Sequence, residues 1–324
     1  MSISYVSIYN YVRKQLLDNA YESVLSFNGR HINNAAVRDA ANSLNIKVFY
    51  HERTWSQDRY WFNDERTHCV SSYQKSLQDT WSNKGCSDLE AYNSAAKYLE
   101  TQDNELHTTS NYYPNWSSRN SQKLRVAYLA SSLDEQEYFL AEPHLCPGSM
   151  WKDQRTAVID LIHWLNQCEV PLELIVRPHP YEKQKSVIGA VLWDVIRSHG
   201  KATVLQADSV YSSRDIAKEA DIIILYHSSM GPELMAEGKK VYTMNGCSYD
   251  YLDSVNLIES PEYIKAMAKK EYEILFDKPF LNKRKELIKS EGLMHIFCLL
   301  NLGLKYNYYE PLGVNRGRFM GLEL

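Results

Sequence analysis

Two short stretches combine residue types suited to holding and protonating a phosphate. The first, Arg177-Pro178-His179-Pro180, sets a permanent cation and a titratable imidazole beside two prolines that stiffen the chain and remove competing N–H donors. Arg177 or a protonated His179 can bind a mono- or diphosphate, and His179 can pass a proton to a leaving phosphate oxygen. The second stretch is Tyr226-His227-Ser228-Ser229-Met230-Gly231-Pro232-Glu233. Ser228 and Ser229 can cap the helix that opens here and offer hydroxyls to a phosphate, while Glu233 can accept hydrogen bonds from a ribose diol. Both stretches also have plainer readings: a rigid loop with an exposed histidine, and an ordinary N-cap followed by a first-turn glutamate.

The elements around them explain why they are worth reading together. LELIV precedes the first and DIIIL the second, and in an open parallel sheet ligands collect at the carboxyl ends of strands. From LRVAYLA onward strands alternate with helices: DQRTAVIDLIHWLNQC, PLELIV, SVIGAVLWDVIRSHG, KATVLQA, DIAKEA, DIIIL, PELMAEG and KKVYTMN. Apolar strands alternating with helices predict a parallel sheet covered on both faces. Upstream, residues 4–19 have helical spacing, and ESVLSFNGR, HINNAAVRDAANSLN and IKVFYHER read as strand, helix, strand. Between 54 and 120 the pattern weakens into helical pieces, ending in the polar stretch HTTSNYYPNWSSRNSQ, read as a linker between lobes. Two further helices near 261–275 and 282–304 lead into a polar, aromatic tail.

The totals set bounds. A chain of 324 residues suits two lobes of about 100–200 residues each. With 36 Lys+Arg against 40 Asp+Glu the formal charge is −4, which lacks the basic excess of a nucleic-acid binder. The 24 tyrosines suit sugar rings as well as half-buried packing. Six scattered cysteines form no CxxC pair and no zinc-site spacing. The N-terminus lacks a signal-peptide apolar core, and no apolar run is long enough to span a bilayer. The expectation is a cytoplasmic protein with any membrane association peripheral.

The RPHP segment followed by ADIIILYHSSMGPELMAEGKKVYT resembles the capsule and surface-polysaccharide biosynthesis glycosyltransferases, which include the Kdo transferases with the GT-B fold. ASSLDEQEYF looks like that family's strand with a following serine and acidic pair, and WKDQRTAVIDLI like its glutamine-bearing helix. FNGR and the glutamate of FYHER look like its strand-end residues in the first lobe. The resemblance spans roughly residues 23–254 as scattered motifs. It implies an α/β, GT-B-like chain of two Rossmann-like lobes with parallel sheets: 1–120 on the acceptor side, 121–260 holding the donor, and 261–324 as C-terminal helices and tail. Donor-binding residues would be Arg177, His179, Ser228, Ser229 and Glu233, with Asn28 and Arg30 on the acceptor side. The implied donor is CMP-Kdo or a related CMP-sugar, with UDP- and GDP-sugars as alternatives, and the implied acceptor is an oligosaccharide or glycolipid at the inner face of the membrane. The nucleotide-sugar is a substrate; neither a cofactor nor a metal is implied. Glycosyl transfer also needs a carboxylate as base or nucleophile. Asp134 and Glu135 after LRVAYLA, and Glu52 after IKVFY, are the candidates, each of which reads equally as a solvated loop residue; inverting and retaining chemistry both stay open.

One departure stands out: only two strands are clear before Thr54, so the first lobe is expected to be small or reduced. A nucleotide-sugar epimerase, or a catalytically silent interaction module of a polysaccharide assembly system, would carry the same lobe.

Overall fold

The computed structural model describes residues 3–29, 31–56, 58–67, 69–106, 122–132, 150–183, 193–306, 309–313, 316–319 and 322–323. The chain divides into two compact units, one of Met1–Gly85 with Phe297–Leu324 and one of Cys86–Ile296.

In the first unit, α1 (Ile3–Asp18), β1 (Ser23–Phe27), α2 (Ile32–Asn42), β2 (Lys47–Arg53), β3 (Arg59–Asn63) and α3 (Val70–Ser82) follow in order. Val12 and Leu16 of α1 and Ala41 of α2 meet Val24, Val48 and Tyr50 of the sheet in one small core. Alanines at 36, 40 and 41 give α2 a small-residue face that is fully buried. β1 and β2 are parallel, from Ser23↔Lys47 to Phe27↔His51, as the strand-helix-strand reading requires. The sheet then turns mixed. Residues 54–58 are too few for a crossover, so β3 returns antiparallel to β2, with Glu52 opposite Trp61. Glu52 therefore lies inside a strand that runs to Arg53 rather than in a loop after it.

Within the second unit, α4 (Asp88–Leu106), β4 (Leu124–Leu129), α5 (Gln154–Asn166), β5 (Leu172–Arg177), β6 (Thr203–Val204), α6 (Ser213–Glu219), β7 (Ile222–Leu225), α7 (Met230–Ala236), β8 (Lys240–Thr243), β9 (Asn256–Leu257) and α8 (Pro261–Ile274) follow. α9 (Lys278–Asn301) runs on to β10 (Leu304–Lys305), which pairs antiparallel with β3 to complete the first unit's sheet. β11 (Tyr309–Gly313), β12 (Arg316–Phe319) and β13 (Leu322–Glu323) form a separate antiparallel sheet.

The second unit's sheet has the order β6-β5-β4-β7-β8-β9, with every neighbour parallel. Starting at β4 the chain winds outward through β5 and β6, then crosses back to β7 and winds the other way. Val126, Tyr128, Ile222 and Ile224 fill the core on one face, while Ala127, Leu129, Ile223 and Leu225 fill the core on the other. Burial on both faces is why these strands read as continuous apolar runs. The helix starts are set by side chains: Asp153 accepts from Thr156 N at 2.8 Å, Ser212 and Asp215 form a capping box, and Ser260 caps α8 just before Pro261. Most of the expected linker, and the first part of the SVIGAVLWDVIRSHG helix, lie outside the described residues.

Candidate functional site

The winding reverses between β4 and β7, and at such a reversal neighbouring connections leave to opposite faces, which is where open parallel sheets hold ligands. Leu129 is in register with Leu225 on one side and Arg177 on the other, so three carboxyl ends stand side by side. The chain leaves them as Ala130-Ser131-Ser132, Tyr226-His227-Ser228 and Pro178-His179.

Ser131 ties the first two loops together. Its hydroxyl donates to the His227 carbonyl and accepts from His227 N at 3.3 Å. Gln154, at the first position of α5 and 1% exposed, fixes Ser131 in turn. Its Oε1 accepts from Ser131 N at 2.9 Å and Tyr128 OH at 3.1 Å, and its Nε2 donates to Ser131 O at 3.1 Å. His227 Nδ1 lies 2.7 Å from Gly246 O. A carbonyl only accepts, so Nδ1 carries the proton and Nε2 presents a lone pair in the neutral ring. Burial pushes the His227 pKa below the ordinary histidine value against the opposing pull of the Gly246 bond, so the ring is neutral near pH 7.

Ser228 and Ser229 play different parts. Ser228 Oγ accepts from Met230 N at 3.3 Å, and its carbonyl accepts from Tyr249 OH at 2.8 Å. Ser229 holds the N-cap position, yet it is exposed and makes no side-chain capping bond. Gly231 is explained by the same tyrosine: a Cβ there would sit 2.3 Å from the Tyr249 ring. Glu233 is paired with Arg214 Nη2 at 2.5 Å, and Arg214 Nη1 also reaches Glu237 at 2.9 Å.

Arg177 is 3% exposed. Its Nη1 donates to Gln206 O at 2.7 Å and Ala207 O at 3.1 Å, while its Nε is buried with no partner. No described carboxylate forms an ion pair with it. Burial lowers its pKa from the ordinary guanidinium value, with Asp208 pulling the other way, but an arginine stays charged. His179 is half-buried, and its carbonyl accepts from Glu182 N at 3.0 Å as the chain enters a short 3-10 turn at Pro180–Lys183. After β8, Asp250 accepts from Thr243 Oγ1 at 3.0 Å and Cys247 N at 2.5 Å. Burial nevertheless pushes its pKa up to about 6.

In the first unit, Asn28 ends β1 with φ 41°, is 4% exposed, and donates its N–H to His51 O at 2.9 Å. Its carbonyl accepts from Thr67 Oγ1 at 3.1 Å. Glu52 accepts from Arg53 N at 3.2 Å. Arg30, Asp134 and Glu135 lie outside the described residues. The structure thus places Arg177 and His179 at the end of β5 and Ser228 after β7, on either side of β4, and adds Ser131, Gln154, His227 and Tyr249 as the residues that fix the loops between them. Among the described residues no group of three or more His, Cys, Asp or Glu side chains is placed to hold a metal ion, and no helix is long and apolar enough to cross a membrane.

No protein-family model matches the chain, and no curated protein matches it. Among solved structures it is similar to the Thermosulfurimonas dismutans KpsC β-Kdo 2,7 transferase, with TM-score 0.47 and 10% identity over 81% of this chain and 82% of that one. The β-Kdo 2,4 transferase of the same KpsC is similar at TM-score 0.47 and 12% identity, over 76% and 78% of the two chains. The chain is also similar to S. aureus MnaA solved with UDP, with TM-score 0.39 and 11% identity over 94% and 77%.

Proposed function

We propose that the chain is a glycosyltransferase that takes its sugar from a nucleotide-activated donor, a CMP-sugar such as CMP-Kdo in first place, and passes it to an oligosaccharide or glycolipid acceptor of a bacterial surface polysaccharide. The observation that carries the reading is the buried Arg177 guanidinium at the carboxyl edge of a doubly wound sheet, with an unpartnered Nε and, among the described residues, no carboxylate ion-paired to it. A buried guanidinium bonded to backbone carbonyls, with Asp208 acting on it but no ion pair to it among the described residues, suits an anionic ligand beside it, and the reversal of winding is where such sheets hold nucleotides.

In this reading Arg177 and the Ser131–His227 bridge set the place of the donor phosphates. His179 hands a proton to the departing phosphate oxygen, and Ser228 and Ser229 supply hydroxyls. Glu233 takes the ribose with one face of its carboxylate while Arg214 holds the other. Asp134, Glu135 and Glu52 remain the carboxylates proposed to activate the acceptor or form the covalent intermediate, with Asn28 and Arg30 on the acceptor side.

Calorimetry or thermal shift with CMP, UDP and GDP tests this, on wild type, on Arg177→Lys, and on the Ser131→Ala/His179→Ala pair. Stabilisation by CMP alone that disappears in the variants supports the CMP-sugar donor. Stabilisation by UDP, with turnover of free UDP-sugar in the absence of acceptor, would make the chain an epimerase. No response to any nucleotide at millimolar concentration would overturn the enzyme reading and leave an interaction module.

A further inference from the structure

We propose that the open face of the first unit's sheet is where two copies of this chain pair. α1 and α2 pack on the side of that sheet that carries Val24, Val48 and Tyr50, and Tyr73 of α3 meets Trp61 on the same side at 5.1 Å. The alternate residues point the other way. Leu25 and Phe27 of β1, Phe62 of β3 and Leu304 of β10 are 59%, 43%, 49% and 70% exposed. The register makes them one surface: Leu25 lies opposite Phe49, Phe27 opposite His51, His51 opposite Phe62 and Leu304 opposite Tyr60. Phe27 meets His51 edge to face at 5.5 Å, and His51 stacks on Phe62 at 6.0 Å. A sheet face that stays in water alternates polar residues outward, whereas this one turns apolar residues outward on all four strands.

Its area suits a dimer. At about 200 Å² per large side chain, the exposed parts of Leu25, Phe27, Phe62 and Leu304 come to roughly 450 Å², and apolar patches of that size mark contact sites. The half-buried Phe49, His51 and Tyr60, with the exposed Lys47, Arg53 and Asp64 around them, extend the face toward the about 800 Å² that each partner of a standard interface buries. The charges at its rim complement a second copy. At the start of β2, Lys47 Nζ stands 4.7 Å over the Phe49 ring and pairs with Asp64 at 3.2 Å. Arg53 ends the same strand, exposed and on the His51 side of the sheet, and among the described residues no carboxylate forms an ion pair with it. A two-fold axis lying across the strands turns one sheet end for end over the other, so each Arg53 meets the partner's Asp64 while the rings pack between them. Such a contact closes after two copies and sets an aromatic centre inside a polar rim. All of these residues belong to the first unit, so the pairing stands or falls separately from the donor reading.

The test is sedimentation equilibrium of the full chain over a range of concentrations, with light scattering as a check on mass. Wild type is expected to be a dimer. Phe27→Ser/Phe62→Ser should weaken association by about a hundredfold or more, since each loss counts twice across the two-fold. Circular dichroism should not change, because both side chains are exposed. Phe62 lies two strands in from the β1 edge, so Phe62→Ser alone separates this contact from an edge-to-edge pairing of β1, which it would leave intact. Charge reversal gives a second measurement. Arg53→Glu and Asp64→Arg should each weaken the dimer by several-fold, and the double variant should restore it, because the swapped charges again face each other across the axis. A monomeric wild type, a dimer that the phenylalanine variants leave intact, or a double charge variant no better than the single ones would overturn the proposal. So would a monomer that retains lipid vesicles or an oligosaccharide through Phe27 and Phe62, which would assign the face to that ligand.

Discussion

Gln154 satisfies both backbone groups of a buried serine, and no other described side chain bonds either one. Gln154→Leu should leave a buried N–H and C=O unpaired, at about 1–3 kcal/mol each, and denaturant unfolding should show a midpoint loss of that order. A loss below 1 kcal/mol would mean that water replaces the amide. Gly231→Ala should cost about 1–3 kcal/mol through overlap with the Tyr249 ring, and the check is whether Tyr249→Leu recovers part of it in the double variant. Asp250 offers a pH test. Its pKa is raised from 3.8 to about 6 by burial, so between those values the folded state binds more protons than the unfolded one and stability falls as pH rises. Relative to wild type, Asp250→Asn should therefore gain roughly 3 kcal/mol from below pH 4 to above pH 6; parallel stability curves for the two proteins would refute the shift. At this scale the placement of Arg177, His179 and Ser228 after strands of one parallel sheet was legible, because strand ends can be read from apolar runs. The sequence could not separate Ser228, whose Oγ caps, from the exposed Ser229, because that depends on a tyrosine from the following strand's loop. Nor could it show that Gln154 reaches back to Ser131, since that pairing is made by folding and leaves no local spacing to read.

Among the elements, the α8–α9 hairpin depends on a buried carboxylate. Both carboxylate oxygens of Glu271 accept from Arg284 Nη1, and Oε1 also accepts from Tyr242 OH at 2.6 Å. Removing the cation alone, as Arg284→Met, should destabilise by about 3–5 kcal/mol, whereas Glu271→Leu/Arg284→Met should recover much of it. A double-mutant cycle measures the coupling, and additive losses would argue against a clamp. The long elements of the second unit were readable because the strands are mostly apolar and α5, α6 and α8 open on a capping Asp or Ser. β3 was missed because RYWFN is short and lies among helical stretches. β9 has only two residues, Asn256–Leu257, and is held by its neighbour's backbone rather than by any strand-forming run. The mixed sheet of the first unit follows from the shortness of residues 54–58, a limit of chain length that hydrophobic pattern does not report.

For the molecule as a whole, the sequence placed a doubly wound sheet where one exists, while the composition of each compact unit depends on contacts far apart in the chain. β10 lies at the end of a helix that belongs mostly to the second unit, yet it pairs with β3 of the first. Arg59 reinforces the junction by donating to Asn301 O at 3.2 Å and Gly303 O at 2.8 Å, and Gly303 leaves no room for a side chain against Tyr60 O. Ending the chain after Asn301 should leave β3 with an open edge and make the protein prone to aggregation, which light scattering of the shortened chain would detect. The same pairing sets an order of events on the ribosome. Although chains are made from the N-terminus and domains usually fold as they emerge, the first segment to appear must wait, with one sheet edge unfilled, until the interposed unit and the last turn of α9 have been synthesised. The late-made unit can close first, and a translational pause after Asn301 would hold the early-made one in its most vulnerable form.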